Sequence, residues 1–563
     1  MKYSDLCEVY ERLEATSKGL EKTKILAEFL GKIKNEPQII YLIQGRVFAD
    51  YDERILGISQ QLAIKAISKA SGINEEGIVK EFKKIGDLGK VAEKLMQNKK
   101  QSTLFSEKLT SQKVLANLQK LSTLEGNGTV DKKMGLIIEL LNSASDKEAK
   151  YIIRTVIGDL KIGIGSGILR DSIVEHCFSP ENIEKKREKS EEVQSAYDTT
   201  TDFAEVFEKT CKNKLKEISL SPGRPVKVML FPKAENIEDA FRITGKPAAF
   251  EYKYDGFRMM INKDENGHVK IFTRRLDNVT NQFPDAVKYV NEYVNAKSFI
   301  IDCEAVGYNP KTKEYMPFQA ISQRIRRKYD IERLEKELPI ELNVFDIIFC
   351  DGKSLIQEPF KKRRELIEKV IKQQKFKIVL AKQIITSDEK KAEEFFDKAL
   401  EEGQEGLMAK NLEAPYKPGA RVGYAVKIKP KGNDFDLVIT GAEWGNGKRA
   451  GWLTSFDVSC RNGKELLEIG KVSTGLKEKE KEGTSFMELT KILKKLVIKE
   501  EGKHLQVKPE VVITVQYQNI QKSPSYSSGF ALRFPRFKML RPDRGINDIA
   551  TIQEVEREEE KER

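Results

Sequence analysis

A chain of 563 residues with 99 Lys+Arg against 87 Asp+Glu, a formal net charge of +12, is too long for one hydrophobic core and implies about three or four domains. The near balance of acids and bases makes the surplus a mild positive field rather than a basic tail, and such an excess fits a polyanionic partner. Its six cysteines, Cys7, Cys177, Cys211, Cys303, Cys350 and Cys460, are scattered with no CxxC pair, which argues against a zinc ribbon or a disulfide framework and for a reducing cytoplasm.

The N-terminal MKYSDLCEVYERLE is amphipathic rather than a leader, and no apolar run approaches the roughly 20 residues needed to cross a bilayer, so a soluble protein is expected. From Asp5 onward, Leu6, Val9, Tyr10 and Leu13 recur at helical spacing. The pattern returns in Ile25, Leu26, Phe29 and Leu30 and in MGLIIELL from Met134, which predicts a mostly helical region over residues 1–220. Inside it, RTVIGDLKIGIGSGILRDS carries Gly163, Gly165 and Gly167, but no lysine-serine pair follows and no strand clearly precedes, so a nucleotide-binding phosphate loop is not supported. SLSPGRPVKVML, residues 219–230, interrupts the helical pattern with two prolines and a glycine and marks a boundary. Between Ala248 and Pro430, VKIFTRR, SFIIDCEAV, LNVFDIIF and YAVKIKP read as strands, separated by charged helices such as the one from Pro359 to Lys372. After Lys431, FDLVITGAEW, SFDVSC and VVITVQY suit a small barrel of about five strands, interrupted by a helix from Phe486 to Val497. The terminal EVEREEEKER is a charge run, expected as a solvated or frayed helix end without functional weight.

The chemistry turns on EYKYDGFR, Glu251 to Arg258, which places Lys253 between two tyrosines. A lysine with its ordinary pKa of about 10.4 is a poor nucleophile and needs cationic neighbours or desolvation to shed its proton. Lys427 and Lys429 alternate in VKIKP and so share a strand face. Alone, that is ordinary strand amphipathicity. Glu304 in IDCEAVG and Glu405 in EGLMAK lie in short apolar contexts, where an unpaired carboxylate is costly to bury; a salt bridge, a metal or a ligand hydroxyl would satisfy each.

Taken in order, EYKYDGFR, FTRR, IDCEAVG, NVFDII, EGLMAK and VKIKP resemble the motif series of the covalent nucleotidyltransferase superfamily, and specifically of the ATP-dependent DNA ligases of the archaeal and eukaryotic replicative type. KYDGFR matches the family's KxDGxR motif, and EGLMAK and VKIKP match its fourth and fifth motifs; the resemblance covers almost the whole chain. It implies a multidomain protein: an all-α DNA-binding domain over 1–220, an α+β nucleotidyltransferase (adenylation) domain over 221–430 and a β-barrel OB-fold domain over 431–563. It makes Lys253 the nucleophile that attacks the α-phosphorus of ATP, giving lysyl-AMP and pyrophosphate. Glu251 would help hold the adenine, Arg258 and Arg274 would contact the AMP or the nick phosphate, Glu304 the ribose, and Phe345 would stack on the base. Arg421 falls at a nucleotide-binding position, Lys427 and Lys429 would neutralise the phosphates and lower the proton affinity of Lys253, and Asp255 would orient sugar or nick groups. Glu405 and Glu304 would bind Mg2+ or Mn2+. AMP would then pass to the 5′-phosphate of a nick in duplex DNA, and the 3′-hydroxyl would displace it, in replication, repair and recombination. His176, His268 and His504 fall in no motif and read as structural or surface residues.

SGFALRFPRFKMLRPDRG resembles the family's final motif, with Arg533, Arg536 and Arg541 in place and Arg544 where a lysine is usual; Arg541 and Arg544 would orient the pyrophosphate. Ala425 stands where the fifth motif often has tryptophan. In WGNGKRAGW, Lys448 and Arg449 would touch DNA, and in the helical region Lys161, Gly163, Gly165 and Arg170 would grip the duplex through its phosphates. Gln101, Leu104 and Phe105 in NKKQSTLFSEKL resemble the box by which archaeal ligases dock on a sliding clamp, PCNA. The expected protein is an archaeal, monomeric, cytoplasmic and nucleoid-associated enzyme. An RNA ligase, a capping guanylyltransferase and a catalytically inert DNA-binding scaffold are the rival readings.

Overall fold

The computed structural model describes residues 1–52, 54–97, 108–124, 128–316, 318–327, 329–430, 432–445, 449, 451–478 and 484–562, with backbone alone at 319, 326, 561 and 562. By internal packing the chain divides into two compact units, Met1–Lys429 and Pro430–Arg563. Among the described residues no helix is long and apolar enough to cross a membrane.

The first unit opens with helices from Tyr3–Glu14 to Phe203–Cys211. On Tyr3–Glu14 the positions at helical spacing, Leu6, Val9, Tyr10 and Leu13, form the buried face, as the periodicity predicts. Helix Asp146–Val156 starts with a capping box, Ser145 accepting from the Glu148 N–H while Glu148 accepts from that of Ser145, and is buried from Glu148 to Val156. Its charges are therefore compensated internally. Lys150 Nζ lies 2.6 Å from Glu11 Oε1 and 2.9 Å from Glu14 Oε2, and Arg154 pairs with Glu14 at 2.9 Å and Asp87 at 2.7 Å.

The proline-broken segment does not hang free between regions. Leu220, Val226, Val228 and Met229 are buried with Met260, Ile300, Ile348 and Tyr416, so it lies as extended chain on the α+β region. Lys227 pairs with Asp198 at 2.9 Å and Arg224 with Glu205 at 2.6 Å, tying it back to the helices.

Two antiparallel sheets follow. One has the order Ala425–Ile428, Leu407–Asn411, Ala248–Tyr252, Gln383–Thr386. The other runs Val269–Thr273, Phe257–Lys263, Phe299–Tyr308, Ile340–Cys350, Lys353–Ser354, with Tyr315–Met316 on one neighbour and Ile378–Leu380 added in parallel. Helix Phe360–Val370 packs on strand Ile340–Cys350. Its Arg363, 1% exposed, is fixed by Asp346 at 2.7 Å.

The second unit is β-rich. The long strand Asn433–Trp444 pairs with Leu453–Asn462 on one side and with His504–Val507 and Val512–Tyr517 on the other, and is bent by irregularities at Ile439/Gly441 and Glu443/Trp444. Helix Phe486–Lys494 ends three residues before Val497, because the β-branched pair Val497-Ile498 enters a strand instead. The terminal charge run also differs from expectation. It is part of helix Ile552–Glu562, whose Ile552 and Val555 are buried in this unit's core, so two apolar residues at i, i+3 spacing anchor an otherwise charged helix.

Candidate active site

Lys253 follows strand Ala248–Tyr252, and two backbone bonds hold its position: the Lys253 N–H donates to Gly406 O and the Glu405 N–H donates to Lys253 O, both at 2.9 Å. Glu405 is thereby locked beside Lys253 although the chain separates them by 152 residues. Lys253 Nζ donates to Glu405 Oε2 at 2.5 Å, and Lys429 Nζ reaches the same oxygen at 2.6 Å. Two glycines permit this approach. Gly406 has φ +131, and a Cβ there would meet Ile428 O at 2.2 Å; a Cβ on Gly256 would meet Ala305 O at 2.4 Å.

Burial works to raise the Glu405 pKa, but Lys253 and Lys429 outweigh it and hold the carboxyl at about 2. Glu405 is therefore an anion that braces two ammonium groups and has little appetite for a proton. Lys427 is shifted downward, first by burial and then by Lys429, Lys253, Arg274 and Arg421. Five cations thus bear on one another around Lys427, an arrangement whose repulsion a polyphosphate would relieve. Glu304, half-buried on strand Phe299–Tyr308, is pushed up to about 8 by burial against the opposing pull of Lys253 and Arg258. Of the sequence candidates, Lys253, Arg274, Glu304, Glu405, Arg421, Lys427 and Lys429 are therefore brought together.

Others are near but already engaged. Arg258 donates from Nε to Asp302 Oδ1 at 2.8 Å, from Nη1 to Met229 O at 3.0 Å, and from Nη2 to Asp302 Oδ2; its guanidinium lies 5.3 Å from the Phe345 ring centroid. Glu251 is 2% exposed, with Lys410 Nζ at 2.5 Å and Gln383 donating at 2.8 Å, so its side chain is saturated beneath the site. Lys410 Nζ also lies 4.9 Å from the Phe345 ring. Asp255 Oδ2 accepts from the Phe318 N–H at 3.3 Å, at the start of helix Phe318–Arg326. Sequence reasoning missed Asp302, Gln383 and Lys410. Lys410 is the final residue of EGLMAK and could have been found there; Asp302 and Gln383 carry no local signal.

The turn before helix Ser166–Phe178 has Lys161 at φ +59 and Gly163 at φ +63, and Gly165 occupies the N-cap with no side chain over the first-turn N–H groups. Lys22, 6% exposed and also missed, donates from Nζ to Ile162 O and to Gly163 O, supporting the turn from below. Lys161 pairs with Asp159 at 3.3 Å and Asp87 at 3.5 Å, and Arg170 with Asp171 at 2.6 Å. In the second unit Arg541 and Arg544 both pair with Asp436 Oδ2, at 3.0 and 2.7 Å, and Arg449 pairs with Glu478 at 2.7 Å. Ala425 is buried beside Tyr424 and Tyr416. Gln101, Leu104, Phe105 and Lys448 lie outside the described residues.

The donors fit a hard divalent cation: the two acids converging near Lys253 offer only oxygen ligands, and burial leaves Glu304 with a raised pKa that a cation would reverse.

Comparison with known proteins agrees with this chemistry. Family models match three stretches: DNA ligase N terminus over residues 2–174, ATP dependent DNA ligase domain over 228–429, and ATP dependent DNA ligase C terminal region over 449–544. A DNA ligase of Nanoarchaeum equitans is 45% identical, covering 99% of this chain and 98% of its own length. A DNA ligase of Thermococcus fumicolans is 42% identical over the same shares. A solved structure titled Pmar-Lig_PreS3 is similar in fold, with a TM-score of 0.53 at 16% identity over 95% of this chain and 99% of that one. Full-length similarity of this degree, on a chain whose lysine, glutamates and cationic strand converge as described, establishes that the protein belongs to the ATP-dependent DNA ligase family.

Proposed function

We propose that this enzyme seals 5′-phosphate/3′-hydroxyl nicks in duplex DNA, using ATP, through a lysyl-AMP intermediate on Lys253. The observation that carries the assignment of the nucleophile is the Lys253–Glu405–Lys429 bridge set against Lys427, Arg274 and Arg421. Glu405 holds the Lys253 amine extended toward the cationic strand. As the triphosphate arrives, Lys427 and Lys429 take its charge, Lys253 gives up a proton to solvent, and its amine forms the N–P bond to the α-phosphorus as the α–β P–O bond breaks and pyrophosphate leaves. The same cations then neutralise the nick phosphate that accepts AMP and the bridging oxygens of the final displacement.

Phe345, fixed by Arg258 and Lys410, stacks on the adenine, and Glu251 acts through Lys410 and the strand backbone that carries Lys253. Arg258 organises this wall through Asp302, which leaves exposed Arg274 for the phosphate and Glu304 for the ribose. Glu304 and Glu405 hold Mg2+ or Mn2+, which supplies charge neutralisation on the phosphate oxygens when bound. Arg541 and Arg544 orient the pyrophosphate.

Residues 1–220 bind DNA, 221–430 carry out adenylation, and 431–563 form an oligonucleotide-binding fold; the bent strand Asn433–Trp444, paired on both sides, supports the last assignment. Lys161, Gly163, Gly165 and Arg170 meet DNA phosphates on one region and Lys448 and Arg449 on another, so binding is tolerant of sequence and sensitive to salt. Gln101, Leu104 and Phe105 dock on a sliding clamp, a reading that an unchanged pull-down by a Leu104→Ala, Phe105→Ala variant would overturn. The enzyme works as a monomer in the nucleoid.

Incubation with α-labelled ATP followed by peptide mapping tests the nucleophile. The label is expected on the peptide containing Lys253, and Lys253→Ala is expected to lower labelling by roughly 10³-fold or more. Sealing of pre-adenylated nicked DNA should survive better in that variant. Label on another residue would refute the assignment.

A further inference from the structure

One cluster of ligating side chains lies outside the ligation chemistry. Helix Ser166–Phe178 ends in His176-Cys177-Phe178, and helix Phe203–Cys211 ends in Cys211. One ligand atom from each of His176, Cys177 and Cys211 lies within 4.8 Å of the others, and the two Sγ atoms are 3.0 Å apart. The second, independent observation is the imidazole. His176 makes a backbone hydrogen bond to Ala27, yet its Nε2 is buried with no hydrogen-bond partner among the described residues. Phe207, its ring centroid 6.2 Å away, and Gly31, where a Cβ would stand 3.2 Å from the ring, wall the imidazole in place. An orphaned buried ring nitrogen in a native structure calls for a partner.

We propose that His176, Cys177 and Cys211 form a binding site for a thiophilic d10 cation of the zinc class, with solvent as the fourth ligand. Two thiolates and one imidazole are the donors such an ion selects. The backbone bond at one face of the ring leaves the other nitrogen a lone pair to offer. A disulfide between the cysteines would leave Nε2 as it is; a cation satisfies all three groups. Two zinc thiolates at ~2.3 Å from the metal lie about 3.8 Å apart in tetrahedral geometry, so binding requires the sulfurs to part from their present contact. Both cysteines are only half-buried at helix ends, where that adjustment is least resisted. The ion would join the ends of two helices, one of which begins at the Gly163–Gly165 turn.

The other four cysteines are buried, which makes the test selective. Zn2+ is titrated into reduced, metal-free full-length protein, with a chromophoric chelator as competitor and thiol alkylation read by mass spectrometry. One equivalent is expected to bind, protecting Cys177 and Cys211 together, and Co2+ should give a thiolate charge-transfer band. Cys211→Ser should abolish the band, and His176→Gln should weaken binding at least about tenfold while both thiols remain. Circular dichroism and nick sealing report whether each variant is folded; should either fail to fold, the wild-type titration and protection decide. No stoichiometric uptake by the reduced wild type, or protection that arises only from a Cys177–Cys211 disulfide, would overturn the site.

Discussion

Glu14 in the helical region and Glu405 in the α+β region are the same device in two settings. Each carboxylate is bracketed by two close cations, Lys150 and Arg154 in one case, with Lys90 farther out at 3.8 Å, and Lys253 and Lys429 in the other. In both, burial raises the carboxyl pKa and the paired cations pull it to about 2. They differ in the cations' access to solvent: Lys150 and Arg154 are 4% and 1% exposed, whereas Lys253 and Lys429 are 23% and 21% exposed. The close pairs of the first set are closed and hold helices together. The second opens toward further cations, and a ligand's phosphates can enter it. Asp436, between Arg541 and Arg544, is a third version, with Arg544 40% exposed and both partners unable to lose a proton. The ion-pair motif alone does not announce a site; exposure of its cations and the choice of lysine over arginine do.

The largest expected effect separates holding from chemistry. Glu14→Gln should destabilise folding by about 3 kcal/mol, because it removes one of the two carboxylates paired with each of the buried cations Lys150 and Arg154, while self-adenylation per folded molecule stays unchanged. Its pH dependence has a definite sign. The folded pKa of about 2 lies below the unfolded carboxyl value of about 4.3, so Glu14's stabilisation is present above that value and is lost as pH falls through about 2. Acid unfolding of Glu14→Gln, followed by circular dichroism, should be correspondingly flatter between those limits. A normal acid transition in the variant would deny Glu14 its structural role.

Next in size, Lys427→Ala should slow transfer of AMP from ATP to Lys253 about 10²-fold with little change in melting temperature, since its proton affinity is already depressed and it makes no ion pair among the described residues. Single-turnover labelling measures this. A large loss of stability with normal labelling would make Lys427 a packing residue like Lys150.

Asp436→Asn should affect the first step alone, changing the KM for ATP up to about tenfold through Arg541 and Arg544, while sealing of pre-adenylated DNA is preserved. Equal loss in both steps would make Asp436 a folding residue. The smallest effect is expected from Arg544→Lys, less than about threefold in self-adenylation, because the variant keeps the charge that faces Asp436. A loss comparable with Lys427→Ala would mean that the guanidinium geometry is required.

What could be read in the sequence followed from local periodicity and ordered motifs. Leu6, Val9, Tyr10 and Leu13 record a buried helix face, and alternation in VKIKP records that Lys427, on strand Ala425–Ile428, and Lys429, just past its end, are less buried than Val426 and Ile428. These patterns survive because i, i+3, i+4 and i, i+2 neighbours meet in any helix or strand. The family motifs in order added Lys253 as the candidate nucleophile, and the structure sets Glu405 beside it. The terminal charge run misled, since two apolar residues suffice to dock a helix whose remaining positions are charged.

Pairings across the chain had no such record. Nothing near Arg258 says that Asp302 occupies its guanidinium, nothing near Glu251 says that Lys410 saturates it, and Lys22 reaches a turn 140 residues away. Cys211 likewise looks unrelated to the adjacent His176 and Cys177 until two helix ends meet. Residue type and spacing determined which groups this protein has available for phosphoryl chemistry. Tertiary structure alone decided which charges are spent on one another and which still face a ligand, because that depends on burial and on distances of a few ångströms between segments far apart in sequence.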